Sequence, residues 1–396
     1  MATLSPDDIL SNVRKLKPKV LACADEAARL RKLPADIVET LRDAGVFRIS
    51  VPKGWGGPEM PLPQQVELME LLATADASVS WCVKIGSDTG VFAAFLPELG
   101  ARALFPRPDM IMAGQATPNG RAVKVDGGYR VSGRWGFASG CTHADVIVSG
   151  CVVVDKDGKP TPIQDTALTR VPPGVIIPTW VLAPVSAFNI EDTWYSHGLA
   201  GSGSHHYSVT DLFVPDDCVV SAASRAVWAE GPLYATTISA TLLPPMAGTP
   251  LGLMRHAIDT AIGIAMERKA PMRANTLLND LPRVRLAFAH AETAYGAARA
   301  FVYDSVRRAW DDLDAGRIPS EKNARDMELA RIHAFRTARD VTRLLYDIIG
   351  AAAVYQAQLL ERLMRDAATM NQHALFSDNI VEDHGASLLG GPARRL

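Results

Sequence analysis

The apolar pattern of this chain changes period twice, and that change constrains the fold more than any single motif. From residue 6 to about 105 the pattern is helical: Ile9, Val13, Leu16, Val20, Cys23, Ala27 and Leu30 recur three or four positions apart. Asp36 is expected to cap a second helix that ends near Gly45. Val51 to Pro58 reads Val-Pro-Lys-Gly-Trp-Gly-Gly-Pro, a turn-rich loop. Helices at about 62–75 and 78–104 follow, and Pro106 and Pro108 close the block.

From about 110 to 220 the runs become short and alternating. Examples are Ala122–Val125, Tyr129–Val131, Val146–Val154 and Gly174–Ile177, with hairpin turns at Gly127-Gly128 and Asp157-Gly158. Beyond about 222 long helical runs return, at 247–278, 282–315, 319–355 and 357–372. Pro271 and Pro282 bracket the first break, and Gly316 to Pro319 the second. The pattern predicts a mostly helical α+β chain in three parts: an N-terminal α-helical domain (1–108), a central β-barrel or sandwich domain (109–221) and a C-terminal four-helix bundle (222–396).

Composition narrows the classes of function. Lys and Arg total 41 against 43 Asp and Glu in 396 residues, with no basic stripe, so a nucleic-acid partner is not expected. The long uncharged stretch Gly231–Met254 is broken by Pro232, Pro244, Pro245 and Pro250, which argues against a membrane span. Met1 to Ile9 holds no apolar signal core, so secretion is not expected. The five cysteines (23, 82, 141, 151 and 218) form no CxxC pair, which fits buried thiols in a reducing cytoplasm better than zinc or disulfides.

Familiar catalytic loops are missing. No GxGxxG follows a strand, and no Walker loop, HExxH or GxSxG is present. In Gly201-Ser-Gly-Ser-His205, neither Ser202 nor Ser204 has glycine two positions to either side, so neither is a nucleophile-elbow serine. Polar and aromatic residues concentrate instead in Ala113–Gly120, in Ser132–Cys141 followed by Thr142-His-Ala-Asp145, and in Trp194–His206. Small residues beside Trp and Phe suit a flat ring, which backbone amides can approach and aromatic rings can wall.

Together these segments resemble the acyl-CoA dehydrogenase fold, over about residues 6–390. The run Trp135-Gly-Phe-Ala-Ser-Gly-Cys141 with the downstream His143-Ala-Asp145 is similar to its monooxygenase branch. That branch comprises two-component flavin-dependent oxygenases related to 4-hydroxyphenylacetate hydroxylase and to steroid-phenol, dibenzothiophene and indole oxygenases. Gly54-Trp-Gly-Gly57, Asp192-Thr-Trp194, Gly198–Ser204 and Glu267-Arg-Lys269 carry the likeness further. Acyl-CoA dehydrogenases place a base in a Tyr-Glu-Gly segment near the C-terminus. Here Arg365–Asp378 has no such segment and offers His373, while Glu382 and Asp383 stay open as bases.

The resemblance implies an oxygenase component that uses reduced flavin (FADH2 or FMNH2) and O2, through a C4a-hydroperoxyflavin, to oxidise a phenol, indole or polycyclic substrate. It implies a separate NAD(P)H:flavin reductase, because no nicotinamide motif is present, and a homotetramer without a metal. It places Ser139 at flavin N5, with backbone from Phe137 and Ala138 on the pyrimidine side, or the Ala138 backbone itself at N5. It makes His373 the acid/base, with His384 as the alternative. Arg268 reaches a flavin phosphate, with Arg273 competing. Gln115 and Thr117 contact flavin from the first strand, and Trp81 lines the ring pocket. Gly350, within Tyr346–Ala351, meets flavin across a subunit boundary. Plainer readings stand beside these: a turn serine, a helix-end histidine, a solvated arginine, a core tryptophan and close packing at Gly350. His143, His205 and His206 receive no role, and Cys141 is set apart only because its motif is. The other functions in view are an acyl-CoA dehydrogenase proper, an amino-sugar N-oxygenase and a non-catalytic helical scaffold.

Overall fold

A computed structural model describes residues 4–161, 177–271, 275–355 and 358–391. The chain divides into two compact units. One is Met1–Gln65 with Trp81–Tyr195 and Ala200–Leu243; the other is Val66–Ser80 with Ser196–Leu199 and Pro244–Leu396.

Helix α1 (Pro6–Leu30) begins with a capping box, in which Ser5 Oγ accepts the Asp8 N–H and Asp8 accepts the Ser5 N–H. Its buried stripe contains Ile9, Val13, Val20, Cys23 and Ala27, the face expected from the helical period. In α2 (Ala35–Asp43) Pro34 holds the cap position and Asp36 lies in the first turn, so Asp36 is not the cap. After α3 (Leu62–Ala73), the helix expected at 78–104 is three helices: α4 (Ala77–Gly86), α5 (Thr89–Phe95) and α6 (Glu98–Leu104). A local feature explains the second break. Leu96 is extended ahead of Pro97, the conformation that a following proline enforces.

The β region is, among the described residues, one seven-stranded sheet in the order β5-β6-β2-β1-β3-β4-β7. Its strands are β1 (Met112–Val125), β2 (Gly128–Ala138), β3 (Val146–Val154), β4 (Thr179–Pro184), β5 (Asn189–Glu191), β6 (His205–Pro215) and β7 (Val219–Ser221). Residues 174–176 of the expected run Gly174–Ile177 lie outside the described residues. β1 and β2 form an antiparallel hairpin, whereas β1 and β3 run parallel. Two ladders slip register, β1–β3 between Gln115 and Gly120, and β2–β6 between Val131 and Gly133 and again between Trp135 and Ala138. Such bulges re-aim side chains and recur beside functional sites. Gly150 makes one of them possible, because a Cβ there would overlap the carbonyls of Ala116 and Thr117.

After the short helix α7 (Ile238–Leu242), the second unit contains α8 (Gly248–Glu267), α9 (Pro282–Asp314), α10 (Glu321–Ile349), α11 (Leu359–Met370) and α12 (Asp378–Leu388). Helix α8 ends at Glu267, well short of 278, and Arg268 is its extended C-terminal cap. Inside this unit Gly248 and Gly252 let α8 approach the backbone carbonyls of Val66 and Glu70. The Glu70 carboxylate, itself buried, accepts from Tyr295 (2.9 Å), Arg299 (2.7 Å) and Tyr303 (2.5 Å), which fastens α9 in place. Among the described residues no helix is long and apolar enough to cross a membrane.

Candidate functional site

In the first unit, the second β2–β6 slip governs the local geometry. The backbone turns outward at Phe137, whose φ is +62° and whose ring is 61% exposed. Ala138 next to it is fully buried. Ser139 N–H donates to the Phe137 carbonyl (2.9 Å) and Cys141 N–H to the Ala138 carbonyl (3.0 Å), which closes a tight turn. The Phe137 ring meets Trp194 and His206 edge-on. An exposed aromatic ring on a positive-φ residue is costly in isolation, and such strain concentrates at functional sites.

Ser139 heads a ladder of buried hydroxyls. Trp81 Nε1–H, from α4, donates to Ser139 Oγ at 3.0 Å. Ser139 Oγ lies 2.7 Å from Ser204 Oγ, and Ser204 Oγ lies 2.7 Å from Ser202 Oγ. Gly140 N–H donates to the Ser202 carbonyl at 2.8 Å, pinning the turn to the segment before β6. Trp81 is therefore both a buried ring and the donor that orients Ser139.

The β1–β3 slip presents Gln115 and Thr117. Gln115 Oε1 accepts both the N–H and the hydroxyl of Thr117, each at 3.2 Å, and the Gln115 N–H donates to Tyr207 OH at 3.1 Å. Tyr207 in turn donates to the Val148 carbonyl at 2.9 Å, and its ring stacks on Trp135. Burial pushes the Tyr207 phenol well up, so it stays neutral.

Burial is the main influence that pushes His143 and His205 toward the neutral form. His205 Nδ1 accepts the backbone N–H groups of Thr193 (3.1 Å) and Trp194 (3.2 Å), which leaves its proton on Nε2. The Asp192 carboxylate, 3.5 Å from His205 Nδ1, works against that burial, while hydrogen bonds from Arg31 hold its own pKa down at about 2. His143 has both ring nitrogens buried with no partner among the described residues; burial, helped by Arg42, pushes it down to about 4. Cys141 Sγ points at the Gly203 carbonyl, and burial pushes the thiol up to about 11, so it is no nucleophile.

The remaining expected residues belong to the second unit. His373 caps a 3-10 turn (Ala374–Phe376), and its Nδ1 accepts the Leu375 N–H at 3.2 Å. That places the proton of the neutral ring on Nε2. His384 Nε2 is 2.8 Å from Glu328 Oε2 and is thus committed to a carboxylate. Arg268 is exposed at the end of α8, with no side-chain partner among the described residues. Arg273 lies outside the described residues. Gly350 ends α10 with φ +68° and open space where a Cβ would stand, so its backbone conformation and not intrachain packing calls for glycine. One titratable group was not expected: Asp366, fully buried, accepts the Leu199 N–H at 2.6 Å. Burial and the nearby Asp76 raise its pKa to about 7.

Trp81, Phe137, Ala138 and Ser139 thus come together, and Gln115 and Thr117 lie on the same sheet. The sequence reading missed Ser202 and Ser204 as partners of Ser139. They alternate in Gly-Ser-Gly-Ser, but only the Ala138–His205 register shows which hydroxyls meet. Among the described residues, no three His, Cys, Asp or Glu side chains gather as a metal site.

Residues 7–102 match the model of the acyl-CoA dehydrogenase N-terminal domain, and residues 246–378 that of the C-terminal domain. The chain is 30% identical to an indole-3-acetate monooxygenase from Pseudomonas putida, over 92% of this chain and 89% of that protein. It is 27% identical to an FADH(2)-dependent resorcinol hydroxylase, oxygenase component, from a Rhizobium species, over 93% and 90% of the two chains. Among solved structures it is similar to XiaF from a Streptomyces species in complex with FADH2 and glycerol. The TM-score is 0.89 at 23% identity, covering 99% of this chain and 97% of that one.

Proposed function

This chain belongs to the acyl-CoA dehydrogenase-like flavin-dependent monooxygenases, and from that premise we propose that it is an oxygenase component acting on an aromatic or heteroaromatic small molecule. The end-to-end likeness to the indole-3-acetate monooxygenase carries the reading. Phenols, indoles and polycyclic rings are the substrate class.

The groups in the first unit fit a flavin. Neutral donors and acceptors (the Ser139 hydroxyl, the Gln115 amide and the Thr117 hydroxyl) suit the uncharged polar edge of an isoalloxazine, and the exposed Phe137 ring suits its face. Bound reduced flavin would supply the electrons and the activation of O2 that side chains cannot. Ser139 would hold flavin N5 by a hydrogen bond, oriented by Trp81. Gln115, Thr117 and the backbone of Phe137 and Ala138 would fix the ring. Trp81, Phe137 and Ala138 would keep water away. Arg268 is the cation for a flavin phosphate, and Gly350 is a backbone approach point. His373 would move the proton at a substrate hydroxyl or ring nitrogen through Nε2, since Nδ1 is taken by the Leu375 N–H.

The chain would draw reduced flavin from a separate NAD(P)H-dependent reductase, as the oxygenase-component name of its resorcinol relative suggests. Free thiols at all five cysteines support a cytoplasmic site of action. The reading includes a homotetramer built through the C-terminal helices, where an open apolar groove lined by Ile262, Met266, Val284 and Phe288 is a surface that another copy would cover.

The test is to mix the protein and anaerobically reduced flavin with oxygenated buffer. Expected are slowed return of oxidised flavin and, with an indole or phenol present, an oxygenated product. Return at the rate of free flavin, without product, overturns the reading.

A further inference from the structure

We infer that Ser204 is a positioning residue that lets Ser139 reverse its hydrogen bond toward flavin N5, donating to the oxidised ring and accepting from the reduced one; this rests on the reading of Ser139 given above.

The argument is a proton count. Ser139, Ser202 and Ser204 are 6%, 1% and 4% exposed, so water does not complete their hydrogen bonding. Each hydroxyl carries one proton and accepts two hydrogen bonds. The indole of Trp81 can only donate, so one acceptor position on Ser139 is filled permanently. Two hydroxyl contacts remain, Ser139–Ser204 and Ser204–Ser202, each 2.7 Å. Ser204 could accept at both, but its own proton would then have no acceptor among the described residues. That leaves two arrangements. In one, Ser202 donates to Ser204, Ser204 donates to Ser139, and the Ser139 proton points away from the ladder. In the other, Ser139 donates to Ser204, Ser204 donates to Ser202, and a lone pair of Ser139 faces outward.

These two states match the two faces of flavin chemistry. Oxidised N5 is an acceptor and needs the outward proton. Reduced N5 carries hydrogen and needs the outward lone pair. In both states Ser139 makes one donated and two accepted hydrogen bonds, so neither oxidation state strands the Ser139 hydroxyl. No atom is transferred; two hydroxyl rotors turn.

Removing Ser204 breaks the symmetry. With Ser204→Ala, Ser139 can still donate to oxidised N5. When it accepts from reduced N5, its proton loses its acceptor. The dissociation constant for reduced flavin should therefore rise about tenfold or more relative to that for oxidised flavin. Both constants are read by titration, the reduced one anaerobically. Ser202→Ala should shift the ratio the same way, because Ser204 then loses its own acceptor. Ser204→Thr keeps the hydroxyl and should restore the ratio. Circular dichroism and thermal unfolding of each protein without flavin check the fold; Ser202→Ala carries the test if Ser204→Ala does not fold. An equal shift in both constants, or none, in folded Ser204→Ala and Ser202→Ala overturns the proposal. Ser139→Ala separates this from the underlying reading: if it changes neither constant, Ser139 does not contact N5 and that reading fails on its own.

Discussion

Trp81 Nε1–H and Ser139 Oγ are hydrogen-bonded at 3.0 Å, both buried, so one acceptor position of the candidate N5 serine is filled by a residue 58 positions earlier in the chain. Trp81→Phe keeps an aromatic ring and deletes only the donor. A lost neutral hydrogen bond of this kind is worth about 1 kcal/mol. Denaturant unfolding should show about that loss, and anaerobic titration should show reduced flavin binding about fivefold weaker. If both quantities match the parent protein, the contact does not orient Ser139.

Glu70 gathers Tyr295, Arg299 and Tyr303 on one buried carboxylate. Burial first, then the Glu70 charge, pushes both phenols up, so they stay neutral donors. Tyr303→Phe removes one donor to a charged acceptor and should cost about 1.5–3 kcal/mol. Glu70→Ala leaves three donors without their acceptor and should cost about 3–5 kcal/mol. Urea unfolding of the two variants should preserve that order. Equal losses would mean that Tyr303 carries the whole contact.

Much of the architecture was legible because hydrophobic period survives tertiary context. Val146–Val154 is the strand the alternating run marked, and Pro282 opens the long helix it was expected to open. What failed was local punctuation. Asp36 had a capping side chain, but Pro34 already set the backbone for entry. The run 78–104 kept a helical pattern across two breaks that the hydrophobic period does not register. The same limit applies at the site. Ser139 stands in a recognisable motif, whereas its partners Ser202 and Ser204 follow from a register slip that no local pattern encodes. Asp366 was invisible for a similar reason. Its environment comes from Leu199 and Asp76, both far away in sequence.

His373 is expected to act on substrate and not on flavin. His373→Ala should lower product formation by about 100-fold or more, the usual contribution of a general acid or base. Reduced-flavin affinity should be unchanged, and peroxide release should rise as oxygenation fails. Product formation within twofold of the parent would remove His373 from the chemistry and turn attention to His384, despite its tie to Glu328.

Asp366 makes stability depend on pH with a definite sign. Its carboxyl is fully buried; burial and then the Asp76 charge raise its pKa to about 7, against opposing effects of the Leu199 N–H, Arg362 and Arg365. An unfolded Asp titrates near about 4. Between those values the folded chain holds a proton that the unfolded chain has released. Stability therefore falls as pH rises from about 4 to about 7 and levels off above, by at most about 4 kcal/mol for a shift of this size. His143 acts in the opposite sense: its folded pKa of about 4 lies below its unfolded value, so its contribution to stability grows with pH up to about 6.5. Burial also raises the pKa of Asp88 to about 6, which adds a second slope of the same sign as that of Asp366. Asp366→Asn removes the Asp366 slope alone, because the amide keeps an acceptor for the Leu199 N–H and has no charge to bury. The variant should match the parent near pH 4 and exceed it in stability at pH 8, with the difference growing between about 4 and about 7. Thermal melts across that range decide the matter; a variant less stable than the parent at pH 8 would mean that the ionised carboxylate is the form the fold requires.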